Sequence, residues 1–295
     1  MPSDPISFSF ELFPPRTPEG AAKLPAVVKK LAAVQPAYFS VTYGAGGSTQ
    51  EGTYETLVRV VEDTGVEAAP HLTCVGSTRA RVAELLDRYR AAGVRRIVAL
   101  RGDARQTNSG AGLPAMAGDA AAPGEFRFGN ELVEFIRKTH DSQFRIEVAC
   151  YPETHPQAPH PDEDFAHFVR KVKAGAHTAI TQYFFNADAY FDFVERGARA
   201  GVSIPIVPGI MPITNFAQLA RFSEACGAEI PRWIRLRLEH LADDRPALLD
   251  FGLEAVTRLC ETLLKGGAPG LHFYTLNQSE PVLRLWRNLG LPSPT

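Results

Sequence analysis

Eight short apolar runs, rich in β-branched and aromatic residues, recur along the chain and predict eight β-strands. Each of the first seven is followed by a segment in which apolar residues recur at helical spacing. Alternating strands and helices over roughly 250 residues predict a parallel sheet closed into a (β/α)8 TIM barrel. The predicted strands are 6–13, 38–43, 67–74, 96–100, 145–151, 178–185, 204–210 and 271–276.

The helical segments carry sequence signals for their ends. Thr17 and Pro18 suit the N-cap and first turn of the first helix, and Gly93 suits the end of the third. Residues 231–265 read as two helices broken near Asp243 and Asp244, which predicts an extra helix before the last strand. We expect residues 1–295 to form one domain, because barrels of this size run as one. The remaining predicted helices are 48–63, 77–92, 130–140, 162–174, 187–200 and 215–226.

Polar and ionisable residues stand where the predicted strands give way to loops. In a barrel of parallel strands, the carboxyl ends of the strands surround the active site. This layout therefore predicts an enzyme. The residues are Glu11, Thr42, Tyr43, His71, Arg101, Asp103, Tyr151, Gln182 and Tyr274.

Glu11 is a single carboxylate placed between large apolar side chains at the end of the first strand. Burial there would raise its pKa, and a glutamate with a raised pKa can act as a general acid near neutral pH. The alternative is a structural ion pair with Arg16 or another cation at the barrel end. The local sequence leaves both interpretations open.

Two further strand-to-loop segments are candidates for ligand contact. Residues 44–47 form a glycine-rich turn whose backbone N–H groups could approach a phosphate, although a plain turn is the alternative and neither a dinucleotide nor a P-loop fingerprint is present. The segment 101–103 directly follows a strand, so its side chains are expected at the barrel mouth. Ligand contact and a structural ion pair are the two interpretations. The Gly-, Ala- and Pro-rich loop 104–128 is long enough to predict a functional or mobile segment.

Three histidines at the predicted barrel end raise the question of a metal site. His71, His155 and His160 lack the tight spacing of known ligand motifs, so we predict no metal.

On the helix that follows, Asp164, His167 and Lys171 share one face, with Arg170 beside them. Such a face is usually solvated, but its place above the barrel mouth also suits the phosphates and ribose of a ligand. The aromatic run after Gln182 could stack on a flat heterocycle, with Phe222 adding to it. Core packing is the default interpretation for the phenylalanines, whereas packing explains Gln182 at a strand end less readily.

Composition narrows the function classes. A formal net charge of -2 gives no electrostatic signal for nucleic acid or an anionic membrane. The polar N-terminus does not resemble a secretory signal, and no apolar run approaches the roughly 18 residues that a membrane span needs. We therefore expect a cytoplasmic protein. The four cysteines show no C-x-x-C spacing and are expected to be reduced packing residues.

Taken together, eight segments resemble the methylenetetrahydrofolate reductases, flavoproteins of one-carbon metabolism and methionine biosynthesis. The resemblance covers nearly the whole chain. It implies a (β/α)8 barrel with non-covalent FAD and a ping-pong reaction. NADH or NADPH reduces the flavin and leaves, and 5,10-methylenetetrahydrofolate then takes the hydride and becomes 5-methyltetrahydrofolate. The segments are SFELFPPRT, SVTYGAGG, EAAPHLTC, RIVALRGD, ACYPETHP, AITQYFF, PGIMPITNF and LHFYTLN.

The same resemblance implies roles for individual residues. Glu11 matches the general acid, and Asp103 matches the aspartate beside the flavin and pterin. Gln182 and Phe222 match residues that contact folate and nicotinamide in turn. The remaining substrate contacts would be Gln218, Tyr274 and Gln278. The FAD contacts would be Thr42, Tyr43, Ala45, His71, Arg101, Gly102, Asp103, Gly129, Tyr151, His155, Ala158, Asp164, His167, Arg170 and Lys171.

The chain departs from the family pattern at some positions. Gln278 stands where several bacterial members carry arginine, which predicts a weaker dependence on the carboxylates of the folate tail. His167 stands where some members carry asparagine. No C-terminal regulatory domain is expected, so feedback inhibition by S-adenosylmethionine is not expected either. The resemblance suggests a homo-oligomer and leaves the choice between NADH and NADPH open.

Three alternatives remain at this stage. The same enzyme could work mainly in the direction that oxidises 5-methyltetrahydrofolate. A flavin barrel could act on another amine, as the proline dehydrogenases do. A flavin- or folate-binding module without turnover is the third, but an intact set of Glu11, Asp103 and Gln182 argues against it.

Overall fold

The computed structural model describes residues 6–43, 50–102 and 124–292. Nine strands in these ranges form one sheet, and every neighbouring pair runs parallel. The strands are β1 Ser7–Leu12, β2 Tyr38–Val41, β3 Ala68–Thr73, β4 Arg96–Leu100, β5 Arg145–Cys150, β6 Thr178–Thr181, β7 Ile206–Val207, β8 Gly209–Ile210 and β9 Gly270–Tyr274.

The sheet closes on itself through a strand that is broken at Pro208. β7 pairs with β6 and β8 pairs with β9, while β9 also pairs with β1. Proline has no N–H to donate to a strand ladder, but the Pro208 carbonyl still accepts a hydrogen bond of 3.0 Å from the backbone N–H of His272. The (β/α)8 barrel prediction is confirmed, with the predicted seventh strand present as two short strands.

Ten α-helices in the described ranges surround the barrel. Two predicted boundaries are confirmed by capping bonds, since Thr17 Oγ1 accepts from the N–H of Gly20 and Asp244 Oδ1 accepts from the N–H of Ala247, each at 3.1 Å. The helices are α1 Pro18–Ala32, α2 Gln50–Thr64, α3 Arg79–Ala91, α4 Gly129–His140, α5 Pro161–Lys173, α6 Ala187–Arg199, α7 Phe216–Cys226, α8 Arg232–His240, α9 Arg245–Lys265 and α10 Ser279–Asn288. The short α8 is the extra helix predicted before the last strand.

Two details differ from the sequence-based expectation. The sixth strand ends at Thr181, so Gln182 and the aromatic residues after it lie in the following loop. The final helix α10 was not predicted, although its buried residues Val282, Leu285 and Trp286 have helical spacing. The Trp286 ring packs edge-on against Phe8 of β1 at 4.7 Å, so α10 covers the outer face of that strand.

The two faces of the sheet have different compositions. Large apolar side chains fill the layer between sheet and helices, where Phe10 lies 5.8 Å from both Phe39 and Phe273. Successive strand residues point to opposite faces, so the alternate positions face the barrel interior. Buried polar side chains occupy many of these interior positions, and they include Ser9, Ser40, His71, Glu147 and His272. The interior is therefore more polar than the outer layer, although Tyr38, Ala69 and Val98 pack together within it. The candidate site lies at its C-terminal end.

Candidate functional site

Glu11 lies at the centre of the candidate site, near the C-terminal end of β1. Its Oε2 atom is 3.4 Å from Nε2 of His71 on β3 and 3.8 Å from Nε2 of His272 on β9. The Glu11 side chain is 20% exposed, whereas that of His272 is fully buried. The carboxyl group therefore faces two imidazoles at the edge of the polar interior and keeps access to the mouth.

The two imidazoles differ in how they are held. Burial lowers the pKa of His71, opposed by the Glu11 charge, and His272 lowers it further. His272 Nδ1 is 2.7 Å from the hydroxyl of Ser9, and its ring stacks on Tyr38 with centroids 6.1 Å apart. The ring nitrogens of an imidazole can donate or accept a hydrogen bond, so Glu11 faces two partners that can serve in either role.

Tyr274 closes one side of this centre. Its hydroxyl donates a 2.7 Å hydrogen bond to the Thr181 carbonyl, and its ring meets His272 edge-on at 5.5 Å. Burial raises the pKa of Tyr274, and the Glu11 charge adds to that effect. Gly209 makes this packing possible, because a Cβ there would lie 2.6 Å from Tyr274 Cε2 and 2.2 Å from the Thr181 carbonyl oxygen. The predicted substrate residue Tyr274 is thus fixed at the mouth.

The segment after β4 contains the guanidinium of Arg101 and a tightly packed glycine, Gly102. The Arg101 guanidinium donates to Gln157 Oε1 and to the Gly102 carbonyl. Gly102 has φ +84°, and a Cβ at this position would meet Val75 Cγ1 at 2.8 Å, so a side chain is excluded there. Asp103 and Ala45, both predicted contacts, lie outside the described residues.

The loop after β5 is held by the helix that follows it. Asp164 Oδ2 accepts a 2.9 Å hydrogen bond from the backbone N–H of His155, and the N–H of Ala158 donates to the His155 carbonyl at 2.9 Å. The Tyr151 ring lies edge-on to His155 at 4.6 Å. Asp164 therefore binds a loop that carries three predicted cofactor contacts.

Lys171 turns inward from the same helix. Its Nζ donates to the Ala149 carbonyl at 2.5 Å, and burial lowers its pKa. A Cβ on Gly129 would lie 3.4 Å from Lys171 Cδ, so the two predicted contacts are neighbours. The His167 ring packs on Phe128 at 4.5 Å, and burial lowers the pKa of His167. The predicted helix face is thus partly buried at the barrel edge.

Arg170 points elsewhere. It is exposed and lines an open groove between α4 and α5 together with Arg137, Lys138 and Lys173. The structure therefore places Arg170 on the outer side of α5, while Asp164 and Lys171 contact the barrel.

The predicted substrate residues lie around the ends of β6 and α7. The Gln182 N–H donates to the Cys150 carbonyl at 2.8 Å, and its side-chain oxygen accepts from the N–H of Tyr183 at 3.0 Å. Gln218 and Phe222 are half-buried on α7, which is tied to this region by a 3.1 Å bond between the hydroxyls of Tyr183 and Ser223. Gln278 is exposed just before α10.

Near the second strand, Thr42 is buried and Tyr43 is half-buried. Among the described residues, the Thr42 hydroxyl has no hydrogen-bond partner. A donor or acceptor of this kind at the mouth is available to a ligand.

Sequence reasoning did not single out His272 or Ser9. The sequence offered one modest signal for His272, which lies two residues before the predicted residue Tyr274. This spacing places both side chains on the same face of the strand. Over the described ranges, no group of three or more His, Cys, Asp or Glu residues is arranged to hold a metal ion. None of the helices in those ranges combines the length and apolarity of a membrane span.

Comparison with known proteins gives consistent matches. The family model "Methylenetetrahydrofolate reductase" matches residues 2–290. The 5,10-methylenetetrahydrofolate reductase of Salmonella typhimurium is 37% identical over 286 residues, covering 97% of this chain and 91% of its own. The corresponding Escherichia coli protein is 36% identical with the same coverage. Methylenetetrahydrofolate reductase (NADH) 1 of Zea mays is 34% identical, covering 97% of this chain and 48% of its own.

A solved structure supports the fold. An uncharacterized Clostridium thermocellum protein, described as binding two copies of 5-methyl-5,6,7,8-tetrahydrofolic acid, superposes with a TM-score of 0.65 at 13% identity. The match covers 98% of this chain and 96% of that one. At this level of identity the likeness concerns the fold.

Proposed function

Because this chain belongs to the methylenetetrahydrofolate reductase family, we propose that it reduces 5,10-methylenetetrahydrofolate to 5-methyltetrahydrofolate, with FAD as cofactor and NADH or NADPH as co-substrate. The observation that carries the proposal is the placement of Glu11 against two imidazoles at the centre of the barrel mouth. The reaction consumes one proton per turnover, and this arrangement can supply it.

Glu11 acts as the general acid in this proposal. Its protonated carboxyl group gives a proton to the bridging amine of the folate, which opens the five-membered ring to an iminium that accepts a hydride. The Glu11 side chain is 20% exposed, so its carboxyl group regains the proton from solvent, with the imidazoles of His71 and His272 beside it.

The described residues suit FAD, which when bound takes a hydride from the nicotinamide and passes it to the folate. Arg101 and Lys171 supply positive charge for a pyrophosphate. The Thr42 hydroxyl is a buried polar atom with no hydrogen-bond partner in the described part of the chain, and it is available to the cofactor.

The proposed reaction follows a ping-pong order. Gln182 ends one side of the mouth and Phe222 lies on the adjoining helix, so both suit a site that receives nicotinamide first and folate second. Metabolite ratios would set the net direction, because one site catalyses both the reduction and the oxidation of 5-methyltetrahydrofolate. A single domain, a homo-oligomer and a cytoplasmic location stay predictions.

The decisive experiment is the visible spectrum of the purified protein under anaerobic conditions. We expect a bound flavin whose absorbance falls on addition of NADH or NADPH and recovers on addition of 5,10-methylenetetrahydrofolate. Recovery with proline-derived imine instead of the folate would indicate the alternative amine chemistry. A protein that takes up no flavin would overturn the proposal.

A further inference from the structure

The turn between β9 and α10 has an unusual backbone. Leu276 and Asn277 are consecutive non-glycine residues with φ values of +50° and +54°. Left-handed conformations are disfavoured for residues with a side chain, and most of all for a branched residue such as leucine. Two in succession persist only where neighbouring contacts hold them, and such conformations cluster at functional sites.

The Asn277 side chain makes the contacts that hold this turn. Its Oδ1 accepts from the backbone N–H of Phe13 at 3.1 Å, and its Nδ2 donates to the Phe13 carbonyl at 2.8 Å. One amide group therefore pairs with both backbone groups of a residue 264 positions away. The side chain continues the β1–β9 pairing beyond the last strand residues.

The same turn holds Glu11 directly. The Thr275 hydroxyl donates to the Glu11 carbonyl at 2.6 Å, and the backbone N–H of Asn277 donates to that hydroxyl at 3.1 Å. Within the strands, Glu11 is paired with Tyr274. Its main chain is thus fixed by Thr275 at the Glu11 carbonyl and by Asn277 at Phe13, two residues further along the chain.

We propose that Asn277 is a positioning residue for Glu11. Its amide fixes the end of β1, and with it the distance of the Glu11 carboxyl group from the reacting amine. It also fixes the start of α10, where Gln278 is predicted to contact the folate. The Asn277 side chain therefore sets the position of the Glu11 carboxyl group relative to that of Gln278. This inference rests on the proposed function. Misplacement of a reacting group by about 1 Å costs roughly 100-fold in rate.

The test uses substitutions that separate the amide from the backbone conformation. Asn277→Gly keeps the left-handed turn accessible and deletes both side-chain bonds, whereas Asn277→Asp keeps the acceptor for the Phe13 N–H and loses the donor. Asn288→Gly is the matched control, because Asn288 lies at the far end of α10 and its side chain bonds only to Thr257 Oγ1 among the described residues.

Hydrogen exchange gives a readout that is independent of activity. In the protein without folate, the Phe13 amide should exchange at least about tenfold faster in Asn277→Gly than in wild type. It should remain protected in Asn277→Asp and in Asn288→Gly.

Single-turnover kinetics of the holoenzyme give the second readout. We expect Asn277→Gly to slow reoxidation by 5,10-methylenetetrahydrofolate at least about tenfold and to shift the pH profile of that step. Reduction by NADH should stay within about twofold of wild type, with Asn277→Asp intermediate in the folate step. Should Asn277→Gly fail to fold, Thr275→Val removes the hydroxyl bond to Glu11 with little change in shape and should show the same selective loss.

The outcomes separate the two proposals. Equal folate rates in Asn277→Gly and Asn288→Gly, or equal losses in both half-reactions, would overturn the positioning role alone. A wild-type holoenzyme that NADH reduces and the folate does not reoxidise would overturn the proposed function, and this inference with it.

Discussion

In the described part of the barrel interior, the two carboxylates Glu11 and Glu147 have surroundings that are opposite in kind. Glu147 is fully buried, with its Oε1 2.5 Å from Arg96 Nη1 and 3.6 Å from Arg145 Nε. Both arginines are the first residues of their strands, so this cluster lies at the N-terminal end of the barrel. Glu11 lies near the C-terminal end of its strand and faces imidazoles.

The difference separates a structural carboxylate from a chemical one. Arg96 also bonds to Glu67 Oε2 at 3.1 Å and lies 4.3 Å over the Tyr38 ring, so its guanidinium is held on several sides. Burial raises the pKa of Tyr38, and the Glu147 charge adds to the effect. The nearest partners of Glu147 are guanidinium groups, whereas those of Glu11 are imidazoles. The opposite ends of one barrel thus serve stability and chemistry.

The largest effect expected from this comparison is on activity. Glu11→Gln removes the acid and keeps the shape, so the folate half-reaction should fall about 10²- to 10⁴-fold. Flavin reduction by NADH requires no acid from Glu11 and should continue. Anaerobic stopped-flow absorbance measures both steps in one preparation. A variant that keeps more than a tenth of the wild-type rate with the folate would show that Glu11 is not the general acid.

At the other carboxylate, the expected effect is on stability. Arg96→Met leaves Glu147 buried without its closest cation, and the free energy of unfolding should fall by about 3–5 kcal/mol. Urea denaturation followed by circular dichroism measures it. The double variant Arg96→Met with Glu147→Met should recover part of the loss, because it also removes the unpaired charge. A loss below about 1 kcal/mol in the single variant would contradict the structural role of the pair.

The sequence allowed the fold and many mouth residues to be predicted because both follow from local pattern. Alternating strand and helix patterns predict a barrel, and a polar residue at a strand end predicts a place at the mouth, as for Glu11 and Tyr274. The pairing of His272 with Ser9 depends on strands 263 positions apart meeting in register, which local pattern does not encode.

The identity of each carboxylate's partner was likewise not predictable. Glu147 stands between Ile146 and Val148 in an alternating strand, which marks it as facing the other side from its apolar neighbours. Its cations come from a neighbouring strand and from its own, and only closure of the barrel decides which of them is buried with it. The break at Pro208 was signalled by the proline itself, since proline cannot donate to a strand ladder.

The dependence of stability on pH tests His71, one of the imidazole partners of Glu11. Burial lowers the pKa of His71 in the folded state, so the unfolded chain binds this proton at higher pH, near about 6.5. Stability from this group is therefore present above that value and lost as pH falls toward the folded pKa, by at most about 1.4 kcal/mol per pH unit. His71→Asn should lose less stability than wild type between pH 7.5 and 5.5 in urea denaturation. Parallel losses in the two proteins would contradict a neutral His71.

The smallest effect should come from the second arginine beside Glu147. The Arg145 side chain is 50% exposed and its Nε is 3.6 Å from Glu147, whereas that of Arg96 is 15% exposed at 2.5 Å. Half-exposed charges are screened by water, so Arg145→Met should lower the free energy of unfolding by less than about 1 kcal/mol. Its 3.1 Å bond to Thr178 adds little at this exposure. Losses of equal size for Arg145→Met and Arg96→Met would contradict this expectation. They would show that both arginines stabilise Glu147 equally, whatever their burial and their distance from it.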